Sequence, residues 1–220
     1  MPSAPHPASA LPDAARAALI QAGRPRRFAR GEVVCHEGDP GDVVHLIQTG
    51  RVAARVSTTR GESVTLSVMG PGEVFGEMAL FTDRDERTAT IVALEAVETL
   101  TLRKDAFHEL RHDHPEVSDM FLRLLARRAE RLSGLVAEAH FVSVDRRVAR
   151  RLYEVGRLYI DDGVPVVVPL TQDDVAGLAG TTRPTANQAL RRLEEHGLVR
   201  LARGRVEILD PAGLRQRTGW

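Results

Sequence analysis

Residues 170–199 read LTQDDVAGLAGTTRPTANQALRRLEEHGLV. Thr171 stands where its hydroxyl caps a helix, with Asp174 three residues on in an acidic first turn, and Val175 and Leu178 supply the inner face. Gly180 ends that helix. Thr182 caps a second one, which tolerates Pro184 because first-turn amides lack intrahelical partners. On the second helix Ala186, Leu190 and Leu193 recur at i, i+4 and i+7 and form the buried side. The other side displays Arg183, Asn187, Gln188 and Arg191, donor-rich side chains of the kinds that pair bidentately with guanine or adenine edges in a major groove. With the threonines at the helix starts, the expected DNA-contacting set is Thr171, Thr182, Arg183, Thr185, Asn187, Gln188 and Arg191. A purely structural helical hairpin with a solvated polar face fits the same pattern, so this segment alone leaves both readings open.

Working outward, Leu198, Val199 and Leu201, then Gly204 and Val206 to Leu209, read as a two-stranded wing. Before the segment, a helix over Asp145–Tyr159 and a short strand over Val164–Val168 are expected, with a hinge over Phe141–Val144. A long helix runs from Pro115 to about His140. Its Val117, Phe121, Leu125, Arg128, Leu132, Leu135 and Ala139 lie three or four apart, a narrow seam suited to a partner helix. Arg128 interrupts the seam, and a cation there costs stability unless an anion meets it.

The stretch from Phe28 to Arg103 reads as strands after a short helix, Ala14–Gln21. Val52, Ala54 and Val56 alternate with other residues, as do Val64, Leu66 and Val68, the period of half-buried strands. Glycines 38, 41, 50, 61, 70, 72 and 76 fall where turns reverse the chain. The expected form is a compact antiparallel barrel or roll. Within it, FGEMALFTDRDERTA (75–89) carries a second chemistry. Gly76 permits close backbone approach, and the amides opening a short helix suit a phosphate. Glu77 suits a sugar hydroxyl, Arg87 offers a fork to phosphate oxygens, and Thr88 adds a hydroxyl. An ion pair between Glu77 and Arg87 across two strands is the structural alternative.

Composition narrows the classes. Hydrophobic residues make up 43% and charged residues 27%, ordinary for a globular chain. One cysteine, Cys35, excludes an internal disulfide framework, a four-cysteine cluster and a cysteine-rich zinc site. A reducing, cytoplasmic setting is expected. No run of about 18 apolar residues is present, so no membrane span is expected, and the start, MPSAPHPASALP, reads as a disordered tail. The net charge of zero hides an asymmetry: residues 1–140 carry 17 basic and 20 acidic groups, residues 141–220 carry 13 and 10. The basic excess accompanies the segment expected to meet DNA.

From about Phe28 onward the chain resembles the cyclic-AMP receptor/FNR (CRP/FNR) family of bacterial transcription regulators. The run 75–89 is similar to that family's phosphate-binding cassette, Gly-Glu-x-Ala-Leu followed by Arg-(Ser/Thr)-Ala, on Gly76, Glu77, Ala79, Leu80, Arg87, Thr88 and Ala89. EGDPGDVVHLIQTGRV is similar to the family's turn pattern, with His45 where an aromatic is commoner, and residues 170–199 match its helix-turn-helix without a gap. The resemblance implies an α+β protein: an N-terminal antiparallel, jelly-roll-like β-roll that binds cyclic nucleotide, a long dimerisation helix, and a C-terminal winged helix-turn-helix. The corresponding segments are 1–12 (tail), 13–113 (sensor), 114–140 (dimer helix), 141–144 (hinge) and 145–220 (DNA-binding).

The implied ligand is cyclic AMP, an allosteric effector rather than a cofactor. Its phosphate falls to Arg87 and Thr88 and the cassette residues Gly76, Met78 and Ala79; its ribose hydroxyl falls to Glu77. Arg128 lies near that glutamate, and the purine pair of the family maps to Leu132 and Ser133. Leu132 departs from the family's threonine and removes one hydroxyl that reads the adenine edge. Arg183-Pro184 replaces an Arg-Glu at the recognition-helix start, so base readout differs there. Implied partners are a second copy of the chain, roughly palindromic double-stranded DNA and RNA polymerase. Three rivals stand beside this reading: a same-fold regulator with another effector or none, a cupin-like metal enzyme, for which His36 and His45 lack the needed cluster, and a nucleotide-binding module acting on a protein. No catalytic or metal residues are expected.

Overall fold

The structure, a computed structural model, describes residues 12–58, 63–82, 86–162 and 165–219. The chain divides into two compact units, residues 1–60 with 68–132 and residues 61–67 with 133–220. The tail expected at the start falls almost wholly outside the described residues, as do Gly61 and Val164.

The first unit is built on β1 (Arg24–Phe28), β2 (Val33–Cys35), β3 (Val43–Thr49), β4 (Val52–Ser57), β5 (Ser63–Met69, which the division cuts), β6 (Val74–Phe75), β7 (Thr90–Ala93) and β8 (Val97–Arg103). They form two four-stranded sheets, ordered β1-β8-β3-β6 and β2-β7-β4-β5. The pairings of β8 with β1 and β3, of β3 with β6, and of β7 with β2 and β4 are antiparallel, the roll that the turn glycines announced. Phe28, Ile47, Val52, Met69, Phe75, Ile91 and Val97, drawn from both sheets, make one core. Strict alternation holds less well than expected: Val52, Ala53 and Ala54 are all buried, whereas Leu66 is 51% exposed. A strand with successive buried residues loses its two-residue signature.

A second core joins Ala15 and Leu19 of α1 (Asp13–Ala22), Phe107 and Leu110 of α3 (Lys104–Asp113), and Val117, Met120 and Phe121 of α4 (Pro115–Phe141) to Val44, Leu46 and Leu102 of the strands. Phe107 and Phe121 meet edge-on, centroids 5.0 Å apart. Burying each ring stabilises by roughly 1.5–3 kcal/mol. This packing divides the expected seam of α4. Val117 and Phe121 are sunk in the roll, at 0% and 3% exposure, while Leu122, Leu132 and Val136 stand 58–62% exposed along the helix. A straight helix turns a seven-residue stripe by about 20° per heptad, so residues spaced as a seam at the start do not stay on one face over 27 residues.

In the second unit, α5 (Val144–Gly156) and a 3-10 turn (Arg157–Asp162) lead to β9 (Val166–Val168), α6 (Gln172–Leu178), α7 (Arg183–Glu195), β10 (Val199–Ala202), β11 (Arg205–Ile208) and α8 (Pro211–Arg217). The two wing strands are joined by β9, the short strand expected before the helix-turn-helix, in one three-stranded sheet ordered β10-β11-β9. Helix α8 was unannounced; Asp210 starts it by accepting from the Gly213 amide at 2.9 Å. In this unit Thr65 is buried and its hydroxyl donates to Asp174 Oδ1 at 2.6 Å. No helix among the described residues is long and apolar enough to cross a membrane.

Candidate ligand cassette and nucleic-acid interface

The cassette begins where β6 ends. Gly76 has φ +78°, a conformation that L side chains rarely adopt. A Cβ there would also sit 2.3 Å from Arg87 Nη1 and 2.8 Å from the Val43 carbonyl, so only glycine lets the arginine lie against this turn. Across from it, a Cβ on Gly41 would meet Arg87 Cδ and Nε at 3.1 Å. The Arg87 backbone is pinned in turn: its amide donates to Asp39 O at 2.8 Å and its carbonyl accepts from Gly38 at 2.9 Å. The EGDPGD turn thus frames the cassette arginine from 46 residues away.

Arg87 Nε and Nη1 are shielded from solvent and have no hydrogen-bond partner among the described residues. Buried guanidinium nitrogens without an acceptor are costly, and an anion arriving there supplies what they lack. The cross-strand pair between Glu77 and Arg87 is not what forms. Glu77, 6% exposed, pairs with Arg128 of α4, whose other Nη lies 3.9 Å from Met69 Sδ. The odd cation of the seam pairs with the carboxylate beside the cassette rather than leaving that carboxylate to Arg87.

Met78 and Ala79 lie in the single turn of α2 (Met78–Phe81), with Met78 38% exposed, and Thr88 is exposed next to Arg87. Gly76, Glu77, Arg87 and Arg128 are therefore brought together. Leu132, one turn beyond Arg128, and Ser133 are exposed on α4. Beneath the site lies His45, 4% exposed, stacked on Phe75 at 4.5 Å, its Nδ1 3.1 Å from the Thr99 hydroxyl. Burial, with repulsion from Arg87 and Arg26, brings its pKa down to about 3. It stays neutral and adds no second charge under the arginine. Burial likewise raises the Cys35 thiol, only partly offset by Arg87. Among the described residues no cluster of His, Cys, Asp and Glu has the makings of a metal site.

The other candidate surface is on α6 and α7. Thr171 and Asp174 form a reciprocal capping box: the Asp174 amide donates to the Thr171 hydroxyl at 3.1 Å and the Thr171 amide to Asp174 Oδ2 at 2.8 Å. Gly180, φ +60°, makes the turn between the helices. The Thr182 hydroxyl does not cap the α7 backbone; it lies 2.9 Å from the Thr185 hydroxyl. Ala186, Ala189, Leu190 and Leu193 are buried, and Arg183, Gln188 and Arg191 are exposed. Asn187 is half-buried, with Oδ1 sealed from solvent and unpaired among the described residues. Arg183 rests 3.3 Å from Asp173 of α6, an exposed pair that a phosphate or base can displace at little cost.

One residue the sequence reading missed organises this unit. Arg147 donates from Nη1 to the carbonyls of Ala139 and Val142 at 3.2 Å, from Nε to Ala179 at 3.0 Å and from Nη2 to Gly180 at 3.3 Å. One guanidinium thereby satisfies the orphan carbonyls at the ends of both α4 and α6, where a cation also meets the negative ends of their dipoles. The Arg146-Arg147 dipeptide was visible, but nothing in the spacing says which carbonyls it reaches.

Both regions lie inside stretches that match known families. Residues 25–114 match the family described as cyclic nucleotide-binding domain, and residues 146–217 match the Crp-like helix-turn-helix domain. The chain is 34% identical over 204 residues to the CRP-like cAMP-activated global transcriptional regulator of Mycobacterium tuberculosis, covering 91% of each. It is 31% identical to the catabolite activator protein of Thermus thermophilus, a solved structure, with a TM-score of 0.56 and coverage of 97% and 98%. The c-di-GMP responsive global regulator CLP of Xanthomonas campestris shares the fold, with a TM-score of 0.77 at 20% identity and coverage of 90% and 99%.

Proposed function

Because the chain belongs to the CRP/FNR family of bacterial transcription regulators, we propose that it is a homodimer whose affinity for a roughly palindromic DNA operator is set by cyclic AMP. The observation that carries the nucleotide part is Arg87, its buried Nε and Nη1 unpaired among the described residues, held between Gly76 and Gly41 next to the Glu77–Arg128 pair. In this reading Arg87 and Thr88 take the cyclic phosphate with the backbone of Gly76, Met78 and Ala79, Glu77 takes the ribose hydroxyl, and Ser133 takes the purine beside Leu132. The exposed ridge of Leu122, Leu132 and Val136 supports a second copy against α4.

Ligand binding then favours one arrangement of the break between α4 and α5, and the break sets the spacing of two recognition helices. Two half-sites about 34 Å apart are contacted by the symmetric dimer. Arg183, Asn187, Gln188 and Arg191 read bases, while Thr171, Thr182 and Thr185 hold the backbone. The protein works in the cytoplasm as a regulator rather than an enzyme, and presents the bound promoter to RNA polymerase.

Leu132 favours one second reading, a regulator of the same fold whose pocket takes another effector or works without one, because an apolar side chain replaces a hydroxyl at the base edge. Loss of one such hydrogen bond costs on the order of 1 kcal/mol, too little to abolish binding. Titration calorimetry separates the two. Saturable heat with cyclic AMP, lost in Arg87→Ala, supports the proposal; heat with another nucleotide alone, or with none, supports the second reading.

A further inference from the structure

At the junction of α4 and α5 four side chains close a ring of alternating charge. Glu138 Oε1 pairs with Arg150 Nη1 at 2.5 Å and Glu138 Oε2 with Arg151 Nη2; Glu154 Oε1 pairs with Arg150 Nε at 3.1 Å and Glu154 Oε2 with Arg151 Nη1. Each carboxylate thus holds both guanidinium groups. Three of the four residues belong to α5; Glu138 alone comes from α4. The pair at the centre is deeply enclosed, the Glu138 side chain 8% and the Arg151 side chain 5% exposed.

Such a ring is a poor device for stability. Charges removed from water regain little more than their desolvation cost, and apolar residues of similar volume hold a junction as well or better. What it supplies is geometry. A two-pronged carboxylate with a separate guanidinium on each oxygen fixes rotation as well as distance, which an apolar contact does not. The ring sits within one turn of the chain break: the Val142 amide donates to the Glu138 carbonyl at 2.9 Å, and α5 begins two residues later. Helix α5 in turn packs on α6 and α7.

We infer that Glu138 is a positioning residue: it fixes α5, and with it the helix-turn-helix, to the end of α4, so that a movement of α4 reaches the recognition helix undiminished. This rests on the proposed control of DNA affinity by a ligand.

The test uses the full-length protein, cyclic AMP, and an operator selected by the wild type from random duplexes. The double variant E138M/R151M removes the central pair and leaves no unpaired buried charge. It is expected to melt close to wild type and to bind cyclic AMP within twofold, while the increase in operator affinity caused by cyclic AMP falls at least tenfold. Hydrogen exchange at amides 140–146 is expected to quicken at least tenfold. A wild-type increase in operator affinity in the double variant overturns the inference and leaves the ring merely structural. Should that variant not fold, E138D, which keeps the charge and shortens the reach, gives the same two readings. If wild-type operator affinity ignores cyclic AMP, the proposed function falls on its own; exchange then decides the junction, faster in the variant sustaining the fixed joint and unchanged overturning it.

Discussion

Arg87 is the residue on which the ligand reading turns, and its surroundings make a double prediction. Replacing it by methionine removes buried nitrogens that lack a partner among the described residues, so the fold should melt no lower than wild type. Charge-assisted bonds to a phosphate are worth about 1.5–3 kcal/mol, so cyclic AMP affinity, read by calorimetry, should drop roughly ten- to a hundredfold. His45 makes a different one. Its pKa is about 3 in the folded protein and 6.5 ordinarily, so as pH falls through 6.5 the unfolded chain takes up a proton that the folded chain refuses. Stability complete above pH 7 is therefore lost towards pH 3, at up to about 1.4 kcal/mol per pH unit. Between pH 7 and 5, denaturant melts of the wild type should lose roughly 2 kcal/mol more than those of His45→Phe, which keeps a ring against Phe75. For Glu77 and Arg87 the residue types and ten-residue spacing left a mutual ion pair open, which the Glu77–Arg128 pair replaces. Gly41, which frames Arg87, was legible only as a turn, because contact across 46 residues leaves no local periodicity.

Among the elements, α7 was the most readable and α4 the least. Ala186, Leu190 and Leu193 are buried as their spacing required, and the polar side stands out because it has no packing to do. Arg183→Ala should cost roughly 1–3 kcal/mol in preference for the selected operator over random duplex, while weak, salt-sensitive binding persists; equal preference in competition binding contradicts the assignment. In α4 apolar residues recur at compatible spacings on more than one face, so spacing alone does not say which of them cover the roll. The exposed ridge makes the prediction there: Val136→Lys, at a position 62% exposed, should leave the monomer folded and shift the protein from dimer to monomer in sedimentation at micromolar concentration. Helices α3 and α8, ten and seven residues, went unread although α1 and α6 of the same lengths did not, so length alone does not decide what is legible.

At the scale of the molecule, the order of the parts was legible from three motifs along one chain, while the fittings between helices were not. Arg147 on four carbonyls and Glu138 between two arginines join residues through geometry that exists only after folding. In the proposed function, occupancy of the cassette and affinity for DNA are linked, and linkage is reciprocal. The most direct measurement is the affinity of the full-length protein for its selected operator, with and without saturating cyclic AMP, at one fixed salt concentration. Linkage is expected to appear as operator binding at least tenfold tighter with cyclic AMP, and as cyclic AMP binding tightened by the same factor with operator DNA. Equal operator affinity in the two conditions, with cyclic AMP bound, contradicts it.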